Sequence, residues 1–303
     1  DVIYGGAGNN WLDGGNGDDS ITGGLGGDGA WGGDGNDTYA MGEAANDWDH
    51  LQYGGLSNGI SVTMTADGMG TTSKNGGLET DSFSGVEGVD GTEFNDVLTG
   101  HDGDDHLAGA GGDDTIDGGA GWNNLFGGEG NDTLTGGDDG NWLDGGDGDD
   151  IITGGLGDDG AWGGQGNDTY TFGEAANDWD YLQYGGLTNG ITVTMTADGM
   201  GTTSKTGGLE IDTFTGIEDL AGTEFADTLS GHDGDDQLSG AGGDDTITGG
   251  VGWNSLFGGE GNDALTGGDD GNWFDGGEGD DIITGGLGDD GAWGGIGNDT
   301  YTF

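Results

Sequence analysis

The sequence predicts an all-β fold, a right-handed parallel β-solenoid in the form of a β-roll, and three observations carry this prediction. Of the 303 residues, 83 are Gly and none is Pro, and so much Gly disfavours helices and long plain strands. A nine-residue period runs through most of the chain, which is the signature of a repeat architecture. Each period ends in three residues whose middle member is apolar, as expected of a short strand with one buried side.

The nine-residue period is nested in a longer one. Trp11, Trp142 and Trp273 recur at a spacing of 131 residues, and each long unit combines a block of nonapeptides with a 50-residue segment of different sequence. We predict one continuous solenoid without internal domain boundaries. The nonapeptide blocks are 1–40, 91–171 and 222–303, and the longer-coil β segments are 41–90 and 172–221.

Each nonapeptide reads G-G-x-G-x-D-x-U-x, where U is apolar. Positions 7 to 9 form the strand, and the position-8 side chain points inward because side chains alternate along a strand. The first six residues must turn sharply, and Gly at positions 1, 2 and 4 permits backbone angles that other residues avoid. Two nonapeptides then make one coil, so repeats of the same parity share a sheet and their turns stack about 4.8 Å apart.

Position 6 therefore forms a ladder of carboxylates along each edge of the roll. Like charges at strand spacing repel one another unless a cation neutralises them. Carboxylate and backbone carbonyl oxygens are the ligands that Ca²⁺ prefers, whereas Mg²⁺ demands a stricter geometry. We therefore expect many bound Ca²⁺ ions, and we expect metal binding and folding to be one event. The candidate ligands are Asp19, Asp28, Asp37, Asp96, Asp105, Asp114, Asp132, Asp150, Asp159, Asp168, Asp227, Asp236, Asp245, Asp263, Asp281, Asp290 and Asp299.

The nonapeptides resemble a known family. GGEGNDTLT at 127–135 and GGQGNDTYT at 163–171 are similar to the calcium-binding repeats of RTX (repeats-in-toxin, haemolysin-type) proteins, which bacteria secrete. The resemblance implies a β-roll in which each ion lies between turns that neighbour one another on the same edge. It also implies type I secretion of an unfolded chain that folds outside the cell.

Five repeats depart from Asp at position 6. We expect the site between Asn123 and Asn141 to bind Ca²⁺ weakly or not at all, because it lacks carboxylate charge. The five departures are Asn10, Asn123, Asn141, Asn254 and Asn272.

The segments 41–90 and 172–221 contain alternating apolar and polar residues but no helical period. Ile191, Val193 and Met195 alternate with Thr, as in a half-buried strand. We predict two or three longer coils, or a small β-rich protrusion, in each segment. Each segment also holds one of the two bases of the chain, Lys74 and Lys205, for which we predict an ion pair with a nearby carboxylate. The four His residues are expected to face solvent.

Aromatic residues gather on one outward face, whereas the opposite face is lined with Thr. Exposed apolar patches of this kind usually mark interfaces, and three interpretations stay open: packing against another roll or chain, packing under the 50-residue segment, and stacking on a polysaccharide. The candidate interface residues are Trp11, Trp31, Trp122, Phe126, Trp142, Trp162, Trp253, Phe257, Trp273 and Trp293.

Composition also limits the function. The formal net charge of -58 excludes nucleic acid and anionic membrane surfaces as partners, and no apolar run is long enough for insertion into a bilayer. There is no Cys and no arrangement typical of a catalytic centre, so we do not expect an enzyme. We predict a calcium-binding structural protein that forms a rigid extracellular fibre, stalk, surface-layer or adhesin segment. A secretion and folding module of a toxin or enzyme is the alternative, and a polysaccharide-binding adhesin is the third possibility.

Overall fold

The computed structural model of the protein describes residues 1–42, 48–65, 68–173, 178–196, 199–205 and 207–303. The chain forms two units, Asp1–Gly155 and Leu156–Phe303. Among the described residues, strands and tight turns make up nearly all of both units, and Asn75–Gly77 form a 3₁₀ turn. Within the described ranges, no helix has the length and the apolar character needed to cross a membrane.

In the first unit the chain alternates between two sheets, named sheet A and sheet B. Sheet A contains β1 (Val2–Ala7), β3 (Ser20–Leu25), β5 (Thr38–Ala40), β7 (Ser61–Thr65), β8 (Met69–Lys74), β9 (Glu79–Ser84), β11 (Val97–Thr99), β13 (Thr115–Asp117), β15 (Thr133–Gly137) and β17 (Ile151–Gly155). Sheet B contains β2 (Trp11–Asp13), β4 (Gly29–Trp31), β6 (His50–Gln52), β10 (Gly88–Asp90), β12 (His106–Gly111), β14 (Asn124–Glu129) and β16 (Trp142–Asp147).

The second unit repeats this arrangement, and its two sheets are named in the same way. Sheet A contains β19 (Thr169–Thr171), β21 (Thr192–Met195), β22 (Gly201–Lys205), β23 (Glu210–Thr215), β25 (Thr228–Ser230), β27 (Thr246–Thr248), β29 (Ala264–Thr266), β31 (Ile282–Thr284) and β33 (Thr300–Thr302). Sheet B contains β18 (Gly160–Gln165), β20 (Tyr181–Gln183), β24 (Asp219–Ala221), β26 (Gln237–Gly242), β28 (Ser255–Glu260), β30 (Trp273–Glu278) and β32 (Gly291–Trp293).

Within the nonapeptide blocks, strands of one sheet are parallel and offset by two repeats. Leu125 pairs with Leu143 in sheet B, and Leu134 pairs with Ile152 in sheet A. The position-8 side chains are buried between the two sheets, whereas positions 7 and 9 are more exposed. Each unit is thus a parallel β-roll of two-nonapeptide coils, and the predicted fold class is confirmed.

The 50-residue segments add a reversed strand that the sequence did not predict. Strand β8 pairs antiparallel with β7 and with β9, while β9 and β7 continue the parallel stack with β5 and β11. Strands β21, β22 and β23 repeat this meander in the second unit. The prediction of longer coils or a protrusion is therefore wrong on the sheet A side. The chain reverses after Lys74 because Gly76 and Gly77 adopt positive φ angles of 66° and 85°, which Gly allows at little cost.

Gly is required where the turns of successive coils touch. Gly128, at position 2 of its repeat, has φ +119, and a Cβ there would lie 2.1 Å from the carbonyl oxygen of Ala110 one coil earlier. Any side chain would separate the coils. Ala110 itself occupies position 2 of its own repeat with φ 79, an angle that costs a residue with a Cβ about 1–2 kcal/mol.

Candidate metal sites along the turn edges

Two columns of acidic or amide side chains run along the turns of each unit, one at the start of the sheet A strands and one at the start of the sheet B strands. We name them column A and column B. Most of their side chains are buried, and the half-buried members are Asn10, Glu87, Glu218, Asp290 and Asp299. Column A holds Asp19, Asp37, Asp81, Asp96, Asp114, Asp132 and Asp150 in the first unit, and Asp168, Asp212, Asp227, Asp245, Asp263, Asp281 and Asp299 in the second. Column B holds Asn10, Asp28, Asp49, Glu87, Asp105, Asn123 and Asn141, and then Asp159, Asp180, Glu218, Asp236, Asn254, Asn272 and Asp290.

Within a nonapeptide block, hydrogen bonds join successive members of a column. The backbone N–H of Asp96 donates to Asp114 Oδ1 at 2.7 Å, and the N–H of Asp114 donates to Asp132 Oδ1 at the same distance. The N–H of Asp132 donates in turn to Asp150 Oδ1 at 2.8 Å. One oxygen of each carboxylate is therefore committed to holding two turns together.

The second carboxylate oxygen, Oδ2, has no hydrogen-bond partner within the described part of the chain at many of these positions, although it is buried. Burying an anionic oxygen without a partner is costly, so these atoms require a cation or a proton. The positions are Asp19, Asp28, Asp81, Asp114, Asp132, Asp180, Asp212, Asp245, Asp263 and Asp281.

A carbonyl oxygen of the next turn faces the same space as this Oδ2. A Cβ added to Gly127 would lie 2.2 Å from Asp132 Oδ2 and 2.5 Å from the carbonyl oxygen of Gly145, one coil later. At Gly258 the corresponding distances are 2.2 Å to Asp263 Oδ2 and 2.4 Å to the carbonyl of the next turn. Two acceptors thus flank one small space that only Gly leaves open. Carboxylate and carbonyl oxygens are the donor set of Ca²⁺, so the residues fit this ion.

Burial weakens the acidity of the same carboxylates. It raises the pKa of Asp114 to about 8, with help from the charges of Asp96 and Asp132. It raises the pKa of Asp245 to about 7 in the same way, and the pKa of Asp180 in column B to about 8. Without a cation, these side chains would hold protons near neutral pH.

Asn replaces the unpartnered oxygen with a donor. The Asn123 side-chain nitrogen Nδ2 donates to the carbonyl of Gly121 at 3.1 Å and to that of Gly136 at 3.4 Å. Asn254 Nδ2 likewise donates to the carbonyl of Gly252, at 3.2 Å. At Asn123, the carbonyl of Gly136, which corresponds to the one that faces Oδ2 at an Asp position, thus has a hydrogen-bond donor without a metal.

Thr and His occupy position 2 of the first two repeats after each 50-residue segment and satisfy both oxygens of the local Asp. Thr92 donates its N–H to Asp96 Oδ2 at 2.6 Å and its hydroxyl to Oδ1 at 3.0 Å. The N–H of His101 donates to Asp105 Oδ2 at 2.7 Å, and the His101 Nδ1 lies 2.7 Å from Oδ1. The prediction that the histidines face solvent is wrong for His101 and His232, because position 2 lies directly beside the position-6 side chain.

Both lysines form the predicted ion pairs, and they do so inside column A. Lys74 is 1% exposed, and its Nζ lies 3.0 Å from Asp37 Oδ2 and 2.9 Å from Asp81 Oδ1. Lys205 makes the same pair of contacts with Asp168 and Asp212, both at 2.9 Å. Burial opposes the charge, but these two carboxylates raise the pKa of Lys205 above its ordinary value.

Some column members lie in the 50-residue segments and were not predicted from the sequence. The N–H of Asp28 donates to Asp49 Oδ1 at 2.7 Å, and the N–H of Asp49 donates to Glu87 Oε2 at 2.9 Å. The N–H of Asp37 donates to Asp81 Oδ1 at 2.8 Å, so Asp81 is the next member of column A. The available signal was an acidic residue two positions before a buried apolar one, as in Asp49-His-Leu and Asp81-Ser-Phe. The corresponding residues of the second unit are Asp180, Asp212 and Glu218.

The aromatic candidates lie at outward positions of sheet B or in the turns beside it. Trp11 covers Gly29 of the next strand, since a Cβ there would lie 2.4 Å from the indole ring, and Trp273 covers Gly291 in the same way. Part of each ring is therefore packed against its own roll. Trp11, Trp122, Trp253, Trp273 and Trp293 are exposed, whereas Trp31, Phe126, Trp142, Trp162 and Phe257 are half-buried.

A family model of the RTX calcium-binding nonapeptide repeat, in four copies, matches about two thirds of the chain. The matched ranges are 1–30, 83–116, 99–134, 117–140, 135–170, 212–247, 233–265 and 266–301. A search of curated proteins finds no match. Within the described residues, no group of three or more His, Cys, Asp or Glu side chains is arranged to hold a metal ion. The oxygens that do converge are one carboxylate and one backbone carbonyl.

Proposed function

This chain belongs to the family of RTX calcium-binding nonapeptide repeat proteins, and we propose that it is a structural segment that folds and becomes rigid when Ca²⁺ binds along its turns. The observation that carries the proposal is the pairing of a buried, unpartnered Asp Oδ2 with a carbonyl of the next turn, as at Asp132 and Gly145. A calcium ion there would neutralise the carboxylate and tie two coils together.

The position-6 Asp residues are the proposed ligands, and column A has more of these carboxylates than column B. Asp114, Asp132, Asp245 and Asp263 each face a neighbouring carboxylate along the column and keep Oδ2 without a hydrogen bond among the described residues. In column B of the same blocks, Asn123, Asn141, Asn254 and Asn272 replace Asp. We propose that calcium loads column A of each block far more fully than column B.

The repeat structure favours a mechanical role over a single active site. The 131-residue unit recurs with few changes, as suits an element whose length is set by copy number. We propose that the three nonapeptide blocks and two 50-residue segments form one continuous solenoid. Extracellular modules work at about 10⁻⁴–10⁻³ M Ca²⁺, so a fibre, stalk, surface layer or adhesin outside the cell suits these carboxylates.

The aromatic residues are the proposed contact surface for other copies of the chain. Trp122 and Trp253 are 52% and 55% exposed, and exposed aromatic patches favour association. Sedimentation velocity over a hundredfold concentration range in Ca²⁺ tests this role. A monomer at every concentration would contradict self-association, and binding to one polysaccharide on a glycan array would favour the adhesin alternative.

Equilibrium dialysis tests the proposed function directly. The full chain should bind many Ca²⁺ ions, with little competition from Mg²⁺ at equal concentration, and electron microscopy should show ordered particles that disperse in EGTA. A chain that binds no Ca²⁺, or Mg²⁺ equally well, would contradict the proposal. Particles unchanged by EGTA would contradict the structural role of the ions.

A further inference from the structure

We infer that the ammonium groups of Lys74 and Lys205 each take the place of a calcium ion in column A. If a rung is the space between two successive column members, each 131-residue unit then has one rung, Asp37/Asp81 or Asp168/Asp212, whose charge is neutralised by a lysine of the chain itself. The inference rests on the proposed function, because it concerns the ions that fill the other rungs.

The surroundings of the ammonium carry this inference. Lys205 Nζ lies 2.9 Å from Asp168 Oδ2, 2.9 Å from Asp212 Oδ1 and 2.9 Å from the carbonyl oxygen of Gly164. Asp168 and Asp212 are successive members of column A, since the N–H of Asp168 donates to Asp212 Oδ1. The nitrogen is therefore surrounded by two carboxylates of neighbouring coils and one turn carbonyl, the same kinds of oxygen that flank the open space beside Asp132.

The first unit has the same arrangement with different neighbours in sequence. Lys74 Nζ lies 2.8 Å from the carbonyl oxygen of Gly33, 3.0 Å from Asp37 Oδ2 and 2.9 Å from Asp81 Oδ1. Asp37 Oδ2 corresponds to the oxygen that has no hydrogen-bond partner at Asp114 and Asp132. Lysine thus supplies the positive charge at the rung beside the inserted strand β8, which interrupts the regular repetition of the turns.

The strand order explains why a lysine side chain, rather than an ion, neutralises the carboxylates here. Strand β8 ends at Lys74 and separates β9 from β7 in the sheet. Among the described residues, the strand next to β9 is the reversed β8, so a regular parallel turn does not follow Asp81 in the stack. A long side chain at the end of that strand reaches the carboxylates instead. A Ca²⁺ ion beside the buried ammonium would be strongly repelled, so these two rungs should exclude calcium.

The test replaces both lysines by Met in the full chain and counts bound Ca²⁺ by equilibrium dialysis. The Lys74→Met, Lys205→Met variant should bind two more ions than the wild type, one in each vacated rung. The matched control adds Asp81→Asn and Asp212→Asn, which removes the charge that would attract the new ions, and it should bind no more than the wild type. A folded Met variant with an unchanged count would overturn the inference.

A second measurement does not depend on the variants folding. Crystals of the wild-type chain grown in Ca²⁺ should show anomalous scattering between Asp245 and Asp263 but none between Asp168 and Asp212. A calcium peak at the Lys205 rung would overturn the inference and leave the proposed function standing. A wild-type chain without any bound calcium would overturn both.

Discussion

The backbone N–H of Asp114 donates to Asp132 Oδ1 at 2.7 Å, while Oδ2 of both side chains is buried and has no hydrogen-bond partner in the described chain. Oδ1 of each carboxylate therefore stabilises the stack of turns, whereas the unpartnered Oδ2 destabilises it until a cation binds. This division makes folding depend on calcium. A substitution that removes the carboxylate should therefore disfavour folding when calcium is bound and favour it when calcium is absent.

Asp114→Asn tests this division. The amide oxygen can still accept the hydrogen bond from Asp96, but the ligand charge is lost. In excess Ca²⁺ the variant should bind at least one ion fewer and lose about 1–3 kcal/mol of stability. In EGTA it should show more ordered structure than the wild type, because an unpartnered buried carboxylate has been removed.

The matched control is Asp113→Asn in the preceding, exposed position, where the side chain also accepts a backbone N–H, from Asn131. It should leave the calcium count unchanged. Calcium-binding isotherms and thermal unfolding of both variants in Ca²⁺, together with far-UV circular dichroism in EGTA, provide the comparison. Equal losses in the two variants would contradict a ligand role for Asp114.

Asn123→Asp together with Asn141→Asp should create a calcium site in column B. The two new carboxylates would replace amides that now donate to turn carbonyls, as Asn123 does to Gly136. The bound calcium should rise by at least one ion. Asn131→Asp, an exposed change of the same kind, should add no ion to the count measured by dialysis.

The calcium-free chain should become more ordered as the pH falls. Burial raises the pKa of Asp114 to about 8 and that of Asp245 to about 7, above the ordinary value of about 3.9 in an unfolded chain. The folded state therefore binds more protons between about pH 4 and pH 8, and its stability must decrease as the pH rises through this window. Far-UV circular dichroism in EGTA at pH 5 and pH 8.5 measures the effect. Greater order at pH 8.5 would contradict it.

Ala110→Gly should stabilise the roll. Ala110 adopts φ 79 at a position that most other repeats fill with Gly, and removing the Cβ relieves a cost that exceeds the extra entropy of Gly in the unfolded chain. The expected gain is about 0.5–1 kcal/mol in thermal unfolding. Ala108→Gly, in the same strand β12, should instead lose about that much, and a loss in both variants would show that φ is not the cause.

The regular part of the structure could be predicted because one short motif dictates it. The sequence is enough to place Asp132 in a column and Leu134 in the core, since nine-residue spacing and strand alternation leave one arrangement. The reversed strand β8 could not be predicted, because its Thr-rich sequence has the same period as its parallel neighbours. His101 was misplaced because position 2 was considered only as a turn position, although a side chain there reaches Asp105. The burial of Lys205 between two carboxylates depends on that reversed strand, so only its charge pairing was predictable.

The most direct test of the central claim is a calcium titration of the full chain at pH 8.5, followed by far-UV circular dichroism and thermal unfolding. In EGTA we expect the spectrum of a disordered chain with no cooperative transition, and a cooperative change to a strand spectrum as Ca²⁺ rises to about 10⁻⁴–10⁻³ M. The same strand spectrum and the same melting temperature in EGTA as in Ca²⁺ would contradict the claim that calcium holds the stacked carboxylates together.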